Sequence, residues 1–219
     1  NIRMIGGASS RELGVGLWTI VGNLCGSNET NMHFVDARAV TVTGNSIYAG
    51  YKRNILMEGC REMAVVGNTI DHNPDSTFDA GLVLSATMKN CRECVFANNI
   101  LHDNTTTQHR GKPPVQVARE ALLEVIDSSG ITIDGCRLTD PSPVGILLEN
   151  SQFVTIANTS VLEEANEQPM EAAIRWRGKG QANLITGCTL GKGAAGSLDI
   201  DVAARVKVGE NLVDVGRKS

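Results

Sequence analysis

The chain has 219 residues, 42% of them hydrophobic but only 4% aromatic, with 23 glycines and a formal net charge of −4. That balance leaves no basic footprint, which excludes nucleic acid as the main partner. No apolar run reaches the roughly 18 residues that would mark a membrane-spanning helix, and the length fits one domain spanning 1–219.

In chain order, IRMIGG at 2–7 already reads as strand, and a phrase then recurs. It is a β-branched run, a Gly-Asn or Gly-Cys step, and a second short run. It reads TIVGNL at 19–24, VTVTGNSI at 40–47, MAVVGNTI at 63–70, CVFANNI at 94–100 and ITIDGCRL at 131–138. It returns as TIANTSV at 155–161, LITGCTL at 184–190 and VGENLV at 208–213. Aligning the phrases puts Asn23, Asn45, Asn68, Asn98, Cys136, Thr159, Cys188 and Asn211 in one column. A base period of about 22–23 residues is too short for ankyrin, tetratricopeptide or propeller repeats, and the leucine-rich signature is missing. Three short β-runs per coil remain, as in GILLEN, FVTIA and SVL between 145 and 162. The pattern predicts an all-β parallel solenoid of eight to nine coils, about 40 Å long at one strand spacing per coil.

In such a stack each column Asn touches its equivalents above and below and satisfies its amide there, so these residues are structural. Cys and Thr fit the same place by size. Six cysteines do not form a disulfide pattern. Cys91-x-x-Cys94 has no second pair to complete a zinc site, so burial is the expectation for both. No capping element is evident at either end, and the expectation is a fragment of a longer chain.

The repeated strand–turn–strand phrase with its Asn column resembles the pectate-lyase-like family of right-handed parallel β-helices, from about Ile2 to Val215. That family includes polysaccharide lyases, epimerases, glycoside hydrolases and non-catalytic carbohydrate-binding or adhesion proteins. Phrases typical of pectate-lyase active sites are absent here, so no catalytic residue is carried over. The resemblance implies a secreted or periplasmic, monomeric protein acting on a polysaccharide.

Departures from the base period point to one edge. Inserts read DHNPDSTFDA at 71–80, HDNTTTQHRGKPPVQVARE at 102–120 and EEANEQPME at 163–171, all after a coil's last strand. Inserts stacked on one edge of a solenoid commonly build a binding face, and in the resembled enzymes such loops flank a groove over the first strand. His72 and His102 each follow a column Asn by four residues and are expected as neighbours, beside Asp71 and Asp103. Tyr51, Lys52 and Arg53 join that edge from the preceding coil, and His109, Arg110 and Lys112 from the longest insert. The mixture offers bases, and cations that suit a uronate or sulfate. The plain alternative is polar loops with turn-capping Asp and Asn.

On the first-strand face, AIRWR at 173–177 sets Arg175 and Arg177 outward, and LDIDV at 198–202 does so for Asp199 and Asp201. Glu149 ends a comparable strand. These are either cross-strand ion pairs or a groove in which Glu149, Asp199 and Asp201 hold Ca²⁺ while the arginines meet an acidic sugar.

A lyase of this kind would eliminate across a uronate. The candidate bases are His72, His102, Lys52 and Lys112, and the candidate neutralising cations are Arg53 and Arg110. A glycosidase would instead need two flanking carboxylates, and no pair stands out. With two Trp and two Tyr, a charged groove for an acidic polysaccharide fits better than an aromatic platform. A non-catalytic binding or structural module of a larger secreted protein is the other reading.

Overall fold

The computed structural model describes residues 1–6, 16–50, 52–71, 86–102, 119–164 and 170–216. Within them the chain winds into three parallel sheets of eight strands each, every strand pairing with the third one along. The first sheet runs Ile2–Ile5, Thr30–Val35, Arg53–Glu58, Ala86–Lys89, Leu123–Ile126, Val144–Glu149, Ala172–Arg177 and Leu198–Ile200. The second and third sheets open with Thr19–Val21 and Leu24–Gly26. This is a parallel β-helix with no α-helix among the described residues; one short 3₁₀ turn covers Val202–Ala204. Eight strands per sheet meet the lower end of the expected coil count, and six of those coils are inner turns with a neighbour on both sides.

The repeated phrase explains the bend between the second and third sheets. Gly22, Gly44, Gly67, Gly135 and Gly187 all take φ between 60° and 69°, a left-handed conformation that glycine adopts without a steric penalty. The next residue turns inward and forms the ladder. The Asn68 Oδ1 accepts from the Asn45 backbone N–H at 3.0 Å and from the Asn45 amide at 2.9 Å. Asn45 receives Asn23 in the same way, at 2.9 and 3.0 Å.

The fourth rung corrects the alignment. It is Asn99, which accepts from the Asn68 backbone and amide at 2.9 and 3.0 Å. Asn98 is exposed at φ 53° and occupies the glycine position, because asparagine tolerates the left-handed region. Thr159 and Asn211 continue the column, accepting from the backbone of Cys136 and Cys188. A second ladder that the phrase did not reveal runs Asn1, Asn31 and Asn54 at the entry to the first sheet, at 3.2 and 2.7 Å.

Alternation on the first sheet stacks the interior in columns. Met32, Ile55, Ala86, Leu123, Ile146 and Ile174 form one, and Phe34, Met57, Met88, Val125, Leu148 and Trp176 the other. All are buried. The thin interior takes aliphatic layers and few rings, as the composition implied. The six cysteines are buried and free; Cys91 and Cys94 face the interior as expected.

Candidate functional site

Residues between the core columns face outward on the first sheet. One outward row is Arg3, His33, Leu56, Thr87, Glu124, Leu147, Arg175 and Asp199; the next is Ile5, Val35, Glu58, Lys89, Ile126, Glu149 and Arg177. Over the first five strands these rows floor a cleft of about 740 Å³.

Its centre is a chain of charge-assisted hydrogen bonds running across three coils. The Arg53 Nε–H donates to Thr87 Oγ1 at 2.9 Å, and the Thr87 hydroxyl donates to Glu124 Oε2 at 2.7 Å. The Arg53 guanidinium also lies 3.6 Å from that carboxylate oxygen. Glu124 is only 4% exposed, so its charge depends on these partners rather than on water. Arg119, also buried, donates to the Ser142 carbonyl at 3.0 Å; burial pushes its guanidinium down to about 9, opposed by the charge of Glu124.

Beside this chain His33 Nε2 meets Glu58 Oε2 at 2.7 Å. With Nε2–H donated to the carboxylate, Nδ1 is the basic nitrogen of the ring. Lys52 pairs with Glu29 at the rim, and exposed Arg3 and Lys89 complete the cationic lining. The cleft therefore combines four cations, three carboxylates and one imidazole.

Of the residues expected from sequence, Lys52 and Arg53 line this cleft. Glu58 lines it too, as the end of a strand comparable to that of Glu149, whereas nothing in the local sequence pattern marks His33, Thr87, Lys89 and Glu124. A signal existed in the outward alternation of the first strands, but it emerges only once the coils are in register. Tyr51, His72, Asp103, His109, Arg110 and Lys112 lie outside the described residues.

His102 and Asp71 close strands of the third sheet and do not line the cleft. Leu101 pairs with Ile70, which sets His102 beside Asp71; the expected pairing of His102 with His72 falls on a residue outside those described. His102 Nδ1 is 3.5 Å from Asp71, and Nε2 is 3.8 Å from the buried Asp140. Asp140 first, then Asp71 and Glu164, raise the pKa of the ring against the lowering effect of burial.

Farther along the first sheet, Arg175 donates to Asp199 at 2.7 Å and to Glu171 at 2.8 Å, and Arg177 meets Glu120 at 2.9 Å. Burial opposes the charge of Arg175, but its two carboxylates outweigh burial and raise its pKa. Asp201 accepts from the Gly178 backbone at 2.8 Å. The arginine strand stands between Glu149 and Asp199, about two strand spacings apart. Among the described residues no group of three or more His, Cys, Asp or Glu is placed to hold a metal.

A family model described as the right handed beta helix region matches residues 18–161. Among solved structures, the A-module of mannuronan C-5 epimerase AlgE4 from Azotobacter vinelandii is similar at 11% identity and a TM-score of 0.46, over 88% of this chain and 57% of that one. The A-module of AlgE6 from the same organism is similar at 10% identity and a TM-score of 0.37, over 92% of this chain and 59% of that one. This chain thus spans less than two thirds of either module, and likenesses this distant carry no argument about chemistry. No curated protein matches. No helix among the described residues is long and apolar enough to cross a membrane.

Proposed function

Because the chain belongs to the right-handed β-helix family, we propose that the cleft over its first sheet acts on an acidic, uronate-containing polysaccharide. The carrying observation is the joining of four cations to a carboxylate-held imidazole on one open strand face. Parallel strands offer a flat, extended floor, which suits a linear polymer. Arg3, Lys52, Arg53 and Lys89 supply charge for sugar carboxylates, and among the described residues the lining holds no aromatic platform for neutral sugars.

The chemistry this arrangement can support is β-elimination. Arg53, held from below by Thr87 and Glu124, neutralises the uronate carboxylate and acidifies the adjacent C5–H. His33 takes that proton, and its new charge is balanced by Glu58. The C5–H electron pair becomes the C4–C5 double bond, the C4–O bond breaks, and the leaving oxygen takes a proton from solvent. Lys52 serves here as a cation, since its ammonium is paired with Glu29. Such polymers are extracellular, so the proposal includes a secreted or periplasmic location.

The test is incubation with polygalacturonate, polymannuronate and a glycosaminoglycan while following ultraviolet absorbance of the unsaturated uronate. The reading expects product from at least one polymer, and His33→Gln to cut kcat by about 100-fold, the lower range for a lost acid–base group. Binding without product would reduce the cleft to a recognition site. Neither binding nor product with any polymer would overturn the reading.

A further inference from the structure

Around the corner from the cleft, three arginines stack where the first sheet gives way to the second. Arg38 bridges Arg61 and Arg61 bridges Arg92, each in parallel register on successive coils. None of the three lines the cleft, and all three are exposed. Successive Cα atoms are therefore about 4.8 Å apart. Like charges placed directly opposite on neighbouring strands destabilise a sheet. The arrangement therefore costs the fold something in a chain whose net charge is −4.

Among the described residues the local acids pair with one of the three arginines. Arg38 Nε donates to Glu62 at 3.0 Å. Asp36 and Glu93 flank the column in the chain, yet Arg61 and Arg92 form no ion pair among the described residues. Gly16 precedes the column and Ser129 and Gln152 continue it, so the cationic stretch has defined ends. Beneath it Ala37, Cys60 and Cys91 are fully buried, which fixes the backbone from which the guanidinium groups project.

We infer that Arg38, Arg61 and Arg92 form a second site, an axial rail that holds a linear anionic polysaccharide along the solenoid. The backbone spacing of the column is on the order of one sugar residue, so anionic groups that a linear chain presents on one side can meet guanidinium groups along the column. Among the described residues the Arg61 and Arg92 forks have no ion-pair partner, which leaves them for bidentate contact of the kind that arginine makes and lysine cannot. The rail does not depend on elimination chemistry in the cleft, and its failure is separable from failure there.

The test is calorimetric titration at low ionic strength with long chains of polymannuronate and, separately, of a sulfated glycosaminoglycan, which distinguishes carboxylate from sulfate as the anion. The Arg61→Ala/Arg92→Ala double variant should lose at least about tenfold in affinity for the preferred chain. Its circular dichroism and its binding of a short uronate oligosaccharide should be unchanged. Arg61→Lys/Arg92→Lys should fall between, since it keeps charge without the fork. Unchanged affinity in the double variant, or no binding of either long chain by the unaltered protein, would overturn the rail. Tighter binding of duplex DNA than of both polysaccharides would overturn the ligand assignment.

Discussion

Asn68 is bonded to the ladder residues of both neighbouring coils. Its Oδ1 accepts two bonds from Asn45, and its amide donates to the Val42 carbonyl at 3.0 Å and to Asn99. Replacing Asn68 with Ala removes the acceptor of the buried Asn45 N–H and takes a donor from the Val42 carbonyl and from Asn99 Oδ1, a penalty of about 1–3 kcal/mol for each group left unmet. Urea unfolding should show a midpoint loss of that order, whereas Asn98→Gly, at the exposed left-handed position, should be near neutral. His102 makes a different prediction. Its folded-state pKa is raised above the ordinary 6.5, chiefly by Asp140. The protonated ring therefore stabilises the fold fully below the unfolded value, and that contribution disappears as pH rises through the folded value. Since the ring is 39% exposed, screening keeps the effect under about 1 kcal/mol. His102→Gln should lower the melting temperature near pH 5 and leave it unchanged near pH 9. Equal losses at both would assign His102 a packing role.

Among elements, the first sheet carries both stability and chemistry, one on each face. Its inner columns close the core while its outer rows build the cleft, so an outward substitution can be read without rearranging the interior. Thr87 is the clearest case, because it receives Arg53 and donates to buried Glu124. Thr87→Val keeps the shape but removes both bonds, leaving the Glu124 carboxylate short of a donor at about 1–3 kcal/mol. The stability loss should shrink markedly in Thr87→Val/Glu124→Leu, which deletes the stranded charge as well. The strands themselves were legible in the sequence because each phrase is local: a β-branched run, a turn residue, a ladder residue. ANN at 97–99 misled by one position because two adjacent asparagines fit, and only the hydrogen bonds separate the turn from the rung. The cleft was far less legible. His33 and Glu58 are 25 residues apart, and Thr87 and Glu124 are 37. A single polar residue facing out of a strand looks the same whether it meets solvent or a partner. Inserts of unequal length then hide which coils bring such residues into line.

Across the whole molecule, each coil touches chiefly the coils above and below it, so charge laid down on one coil gains meaning only through its neighbours. The cleft and the arginine column are both products of that stacking, on adjoining faces of one rod. The acidic ends of the first sheet behave otherwise: Asp199 and Glu171 are consumed by Arg175, and Glu120 by Arg177. The proposed elimination chemistry is therefore concentrated on the N-terminal five strands of the first sheet. The most direct check is to titrate a short uronate oligosaccharide into isotopically labelled protein and follow backbone amide shifts by NMR. The account predicts saturable shifts clustered at His33, Arg53, Glu58, Thr87 and Lys89. Shifts confined to the third sheet around His102, or none at saturating sugar, would contradict it.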